Sequence, residues 1–405
     1  MKAERPVAQS IESISVPPKQ AAPVAGAALV LAAVGGAMTV AAMFSDVGRS
    51  RLGYSYLLGF VFLWSIVVGS LFFVALQHLT RSIWSVVIRR VAEMFASSMW
   101  LVAVAFIPIL FLIWFGQSIP LFSWAGRGEL SSAKAIYLNP SFFAFRAAVF
   151  FAVWIAFSRF FVNGSLHQDR GEMPESAAAK LRRASSAFMP AFALTVTFAA
   201  FDWLMSVDPS WCSTIFGVYV FSGMVVTSLS AITLAVITLR RQGHLGKAIV
   251  TEDHLYNLGG LIFAFVCFWA YMAFSQYMLI WYGNIPEETV YYTRRLAGGW
   301  WGVSVLLVMI RFVVPFFLLL SRPAKMNPRL LVIVAVLMLF GQFVDLYWMI
   351  VPEFSAQSPA LSWTELGPTL LLMGVLGWSV SRFMQKHPMM AMGDPMFERS
   401  RLFRL

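Results

Sequence analysis

Charge is scarce in this sequence. Only 12% of its 405 residues are Asp, Glu, Lys or Arg, while 59% are hydrophobic, and the mean hydropathy is +0.74. A soluble domain of ordinary composition is about 25% charged and about 45–50% apolar. So little charge cannot solvate a water-facing surface of this size, which excludes a soluble globular enzyme. Cysteine is almost absent as well. With only Cys212 and Cys267 there is no CxxCH for covalent haem and no set of four thiolates for an iron–sulfur cluster. Both lie in apolar stretches, which predicts free, buried thiols rather than a disulfide.

What is present is a series of long apolar runs. A membrane helix needs about 20 mainly apolar residues. Stretches without any Asp, Glu, Lys or Arg run from Gln20 to Ser45, Leu52 to Thr80, Met94 to Gly126, Pro209 to Leu239 and Leu255 to Pro286. Five more centre on Ala148, Phe198, Leu307, Val336 and Met373. The expected fold class is therefore an all-α polytopic membrane protein of ten spans: 22–44, 56–77, 97–116, 140–162, 187–206, 215–239, 255–281, 298–320, 329–350 and 363–384. The pattern divides into a disordered cytoplasmic tail at 1–20, one membrane domain over 21–385 and a cytoplasmic tail at 386–405. The tail before the first run is long and rich in Pro and Ser, and the run itself exceeds a signal peptide's apolar core, so span one is read as retained.

The net charge of +11 gives the orientation. The two tails and the even-numbered loops hold 21 Lys and Arg, the odd-numbered loops hold 6, and three arginines fall inside spans. An excess of basic residues marks the cytoplasmic side, so both termini are expected there, with no need of nucleic acid to explain the charge. All five histidines (His78, His167, His244, His254 and His387) then lie in cytoplasmic loops or at cytoplasmic span ends. None can supply the paired mid-membrane imidazoles of a transmembrane haem, so the chain is expected to hold no redox cofactor of its own.

Ionisable groups inside spans are functional candidates, because each costs roughly 2.5–3.5 kcal/mol at the membrane centre on insertion scales. Arg159 lies near a cytoplasmic end and is expected to snorkel to the headgroups; Arg146, near the outer end of span four, is expected to do the same. Arg311 is mid-span and needs a buried partner or an aqueous cavity, as a structural ion pair or as part of a proton or quinone path. Asp202, Asp345 and Glu365 all fall in the outer half. They are candidates for proton exit, or else cap helices or pair with Arg146. Span seven adds Tyr271, Ser275, Gln276, Tyr277 and Tyr282; Tyr271, Ser275 and Tyr282 share one helical face and are candidates to hold waters. The hydroxyls of span six (Ser222, Thr227, Ser228, Ser230 and Thr233) read as interhelical packing. Trp64, Trp100, Trp114, Trp281, Trp300 and Trp301 read as interfacial belts and packing.

Three stretches in order, HLTRSIWSVVIRRVAEMF (His78–Phe95), FDWLMSVDPSWCSTIFGVYVFSG (Phe201–Gly223) and FSQYMLIWYGNIPEETVYYTRR (Phe274–Arg295), resemble the NrfD-like membrane subunits of alternative complex III, a bacterial quinol:electron-acceptor oxidoreductase. The resemblance covers nearly the whole chain and is closer to the smaller of the two such subunits. It implies an NrfD/PsrC-like fold with two four-helix bundles, spans two to five and six to nine, flanked by spans one and ten. It implies a bacterial cytoplasmic membrane and, as partners, a second NrfD-like subunit, a periplasmic iron–sulfur subunit, haem c subunits and small membrane anchors. Quinol or menaquinol would be the substrate, with haem c and iron–sulfur clusters in the partners. Asp202 is the acid of the FDW motif; with Trp211, Tyr219 and Arg146 it forms the candidate quinone-facing set. The candidate proton path is Asp202, Arg311, Asp345, Glu365, Tyr271, Ser275 and Gln276. Cys212 stands where the larger subunit is expected to carry His, which weighs against quinol oxidation by this chain and toward a proton-conducting or structural role.

Three functions compete: a non-redox subunit providing a proton path, a pure scaffold of the same complex (or an anchor of another NrfD-type reductase), and, more distantly, a secondary transporter. Transporters often pair broken helices in two halves; Pro108, Pro190 and Pro315 form no such matched pair.

Overall fold

The computed structural model describes residues 16–115, 121–126, 132–171, 177–359 and 361–405. Residues 1–15 of the expected N-terminal tail lie outside them. The described residues contain helices and no strand. Ten helical segments are long and apolar enough to cross a membrane. Spans one to five are Gln20–Met43, Asp46–Leu79, Val86–Phe115, Pro140–Asp169 and Ala178–Val207. Spans six to ten are Phe216–Arg241, Glu252–Gly283, Trp300–Leu318, Pro328–Glu353 and Trp363–Lys386. The chain is an all-α polytopic membrane protein.

Local sequence sets several helix ends. Ser45 caps span two by accepting from Gly48 N at 3.1 Å, with Asp46 in the first turn where the helix dipole favours an acid. Asn139 accepts from Phe142 N at 2.8 Å and is followed by Pro140, whose missing N–H costs nothing at a helix start. Asn327 and Pro328 repeat the device at span nine. Span seven stops at Asn284, in the left-handed region at φ 47°.

Spans two and six are the most enclosed, and they pack on each other. Spans two to five form one group of mutually packed helices and spans six to nine another. Spans one and ten lie together on span two, along a seam of small residues. A Cβ on Gly35 would lie 2.2 Å from Leu371 N, and one on Gly374 would lie 2.4 Å from Ala32 N. Backbone contact this close explains why span one, otherwise mostly exposed, stays attached.

Several helices run beyond the expected ends. Span two starts at Asp46 rather than 56 and span three at Val86 rather than 97. Residues expected in loops, Arg51, Arg89, Arg90 and Glu93, are thereby buried in helices. The extension is tolerated because each is paired. Arg89 contacts Glu93 at 3.2 Å and Asp394 at 2.7 Å; Arg90 contacts Glu93 at 3.3 Å and also Asp169. The C-terminal segment is accordingly packed down rather than trailing: Met389, Met390 and Ala391 are buried, and the Ser400 carbonyl meets His254 Nε2 at 3.0 Å. Trp64 and Trp300 belong to the interior, whereas Trp100, Trp114, Trp281 and Trp301 are exposed as a belt requires. In the first bundle Trp203 of the FDW motif sits among Phe60, Trp64, Phe106 and Trp154, ring centroids 4.9–5.8 Å away.

Candidate functional site

Proline shapes the site. Pro315 has no N–H to give to the carbonyl four residues back, so span eight relaxes into a π-turn over Met309–Val313 before continuing. That turn carries Arg311 into the second bundle, with 1% of its surface exposed. Span nine approaches closely there through Gly341, where a Cβ would lie 2.9 Å from Arg311 Cδ. One turn further along span nine, Asp345 faces the guanidinium at 3.5 Å.

The Asp345 carboxylate has three donors around it. Tyr219 of span six donates its hydroxyl to Oδ1, Trp269 of span seven donates Nε1–H to Oδ2 at 3.1 Å, and Arg311 supplies the counter-charge. The guanidinium in turn donates from Nη1 to Gln342 Oε1 at 2.6 Å and lies 4.7 Å from the Trp269 ring centroid. Four spans thus converge on one carboxylate.

Beside this cluster is a cavity of about 650 Å³ between spans seven and eight, in the size range of small-molecule sites. Tyr219 and Trp269 form its inner wall, and Gln276, Tyr277, Tyr292, Phe312 and Trp348 line much of the rest. Tyr271, Phe274 and Val308 stand exposed at its rim, so it opens sideways onto the apolar outer surface. Gln276 is 3% exposed, and its Oε1 has no hydrogen-bond partner. A second cavity, of about 410 Å³, shares Tyr277, Tyr292 and Leu296 with the first and reaches Asn284 and Thr289. The two form one groove along span seven.

Above the cluster, the segment after span seven folds as a helix, Pro286–Leu296. Its Tyr291 is held between Trp211, stacked at 3.9 Å, and the Arg295 guanidinium, 3.4 Å from the ring centroid. Arg295, fully buried, donates to the carbonyls of Trp348, Tyr291 and Met349. Burial pushes the Tyr291 phenol up to about 12; Arg295 opposes the shift, while Asp345, Glu353 and Asp208 add to it. The hydroxyl therefore stays protonated at physiological pH. Arg294 joins Asp208 at 3.2 Å and Glu353 at 2.6 Å over the same end.

The expected site residues separate into distinct places. Arg146 does not snorkel. It is buried and binds Asp202 in a fork, Nε to Oδ2 at 2.7 Å and Nη2 to Oδ1 at 2.9 Å, under the rings of Tyr137 and Phe142. Glu365 closes the capping box of span ten by accepting from Ser362 N at 2.6 Å, and meets Arg51 at 3.1 Å. The three acids are thus split among spans four and five, eight and nine, and two and ten, rather than joined in one route. Trp211 stacks on Tyr291 and on its other side lines a cavity of about 270 Å³ with Tyr137 and Ser206, the neighbours of Asp202. The shared face of Tyr271, Ser275 and Tyr282 turns outward: Tyr271 is 62% and Tyr282 84% exposed, and Ser275 is half-buried. The inward face of span seven is Trp269, Met272, Gln276 and Ile280. The expectation of buried thiols also fails, since Cys212 is exposed and Cys267 half-buried, both free. Hydroxyls of span six bond back to their own helix, Thr227 to Gly223 O and Ser230 to Val226 O, each at 2.7 Å. Arg159 is exposed on the outer face of span four, ten residues before the helix ends at Asp169 rather than at its end.

Trp269 and Gln342 were missed in the sequence. Their signal was weak: an indole and an amide in apolar helices read as packing until an acid is known to face them. Among the described residues, no group of three or more His, Cys, Asp or Glu side chains is gathered that could hold a metal ion. Neither a protein-family model nor a characterised protein matches this sequence.

Proposed function

We propose that this chain is a membrane subunit of a bacterial quinol:electron-acceptor oxidoreductase of the alternative complex III kind, holding no redox centre itself and handling protons at Asp345. The observation that carries the reading is the position of that carboxylate, buried between four spans yet one hydroxyl from a groove that opens to lipid. Quinol oxidation releases protons, which need an acceptor. Tyr219 provides the transfer: a proton reaching its oxygen from the groove lets its own proton pass to Asp345, leaving the phenol neutral and the acid protonated. Arg311 and Trp269 hold the carboxylate in place, and Gln276 offers an unpartnered carbonyl to a hydroxyl in the groove. The order of the three motif stretches, the ten spans and the absence of histidine within span centres support the same reading. In it, a second NrfD-like subunit, an iron–sulfur subunit, haem c subunits and small anchors supply the electron path, and both termini face the cytoplasm.

A scaffold role is favoured by a different observation, that Asp202 and Glu365 are each committed to one arginine and line no described cavity. These two positions hold the fold, and Asp345 does the chemistry. The test is quinol-driven proton release by the native complex, purified and identified by its haem c content. Asp345→Ala lowers release in complexes that still assemble, while Asp202→Ala acts through assembly. Full release from assembled Asp345→Ala complexes refutes the proton role, and a native complex without haem c refutes the alternative complex III assignment.

A further inference from the structure

At the opposite end of the first bundle, where the C-terminal segment packs, spans four and five enclose a groove of about 490 Å³. Its walls are Ala156, Arg159, Phe160, Asn163, Gly164 and His167 from span four, with Lys180 and Leu181 from span five. Arg159, Asn163 and His167 follow i, i+4, i+8 spacing, so they stack on one helical face over about 12 Å. Lys180 faces them from the neighbouring helix. Among the described lining residues there is no acid. Asp169, the acid at the end of span four, is engaged by Arg90 and by Gly393 N at 2.8 Å. The floor is apolar: Ala156 and Phe160 are exposed on the outer face of span four, and Leu181 is buried.

We infer that this groove is a binding site for an anionic phospholipid, its phosphate held by Arg159 and Lys180 and one acyl chain lying along Ala156 and Phe160. Both halves of the ligand are needed to use both halves of the groove. A free phosphate would use only the polar rim, and a zwitterionic lipid brings an ammonium into a site already basic. Arg159 lies ten residues before the end of span four, about 15 Å along the helix, and from there its long side chain can snorkel past Asn163 toward the headgroups, while Lys180 stands near the start of span five. Basic pockets between membrane helices recognise anionic headgroups in this way, and each Lys or Arg near the surface adds about fivefold to binding.

The test uses the purified full chain, delipidated and titrated with phosphatidylglycerol, phosphatidylcholine or inorganic phosphate, with bound lipid read by native mass spectrometry and stability by thermal unfolding. Phosphatidylglycerol is expected to bind and to raise the unfolding temperature, and the other two are not. Arg159→Gln/Lys180→Gln is expected to lose about twenty-five-fold in phosphatidylglycerol binding with its unfolding temperature unchanged in phosphatidylcholine, while Arg159→Lys keeps most of it. Should the double variant fail to fold, the wild-type titration alone decides. Equal binding of the two lipids, stabilisation by inorganic phosphate alone, or a double variant that binds like wild type overturns the site.

Discussion

Replacing Asp345 by Leu tests the energetics of the buried cluster. The substitution strands the Arg311 guanidinium, which keeps only Gln342 as a hydrogen-bond partner beside the Trp269 ring, and leaves the Trp269 N–H without its acceptor. A buried ion whose partner is removed costs about 3–5 kcal/mol, and a buried donor left unpaired about 1–3 kcal/mol. Tyr219 lines the groove, so its hydroxyl can turn to what fills that space and adds little. The expected loss is roughly 4–8 kcal/mol. Arg311→Met on the same background removes the stranded charge and should return about 3–5 kcal/mol of it. The assay is a double-mutant cycle on reversible unfolding of the purified chain in mixed micelles, followed by tryptophan emission. Additive losses, or a single-variant cost below about 1 kcal/mol, would mean that the two charges do not interact as the 3.5 Å geometry requires.

Three further outcomes follow from other parts of the molecule. Gly374→Leu drives a side chain into the span one backbone, 2.4 Å from Ala32 N, and should detach span one while the two bundles persist; a cysteine pair bridging spans one and ten would cease to cross-link. Asp394→Ala removes the C-terminal partner of buried Arg89 and should expose the 389–401 segment to trypsin in the detergent-purified chain, with no change in cleavage if that ion pair does not hold it. His387 is held below its usual 6.5 by burial and by Arg90, Arg170 and Lys386. The unfolded chain therefore takes up a proton before the folded one, and stability falls as pH drops below about 6.5. His387→Gln should flatten that part of the unfolding-temperature profile, and an unaltered slope assigns it to other groups.

The ten spans were legible because the signal is long and redundant: twenty apolar residues outweigh one Arg or Asp. The ends were less legible, because a charge near a boundary reads as a loop unless its partner is known. Arg51, Arg89 and Arg90 pair with Glu365, Asp394 and Asp169, each far away in sequence. The same gap governs the site. Sequence singles out Arg311, Asp345, Tyr219 and Gln276, but groups Asp345 with Asp202 and Glu365 because all fall toward the same end of their spans. Depth along a helix can be read from position in the chain; rotation about the bundle cannot, and rotation decides which arginine each acid meets. Arg146 illustrates the cost, since a position near a helix end suggested water while the fork to Asp202 holds it inside.

The proposed function requires Asp345 to take up a proton during quinol turnover. Infrared difference spectroscopy of the assembled complex, reduced against oxidised, reads this directly as a carboxylic C=O band. The expected band shifts in Tyr219→Phe and disappears in Asp345→Asn, with Asp202→Asn leaving it in place. A band that survives Asp345→Asn, or no carboxylic band on turnover at all, would contradict it.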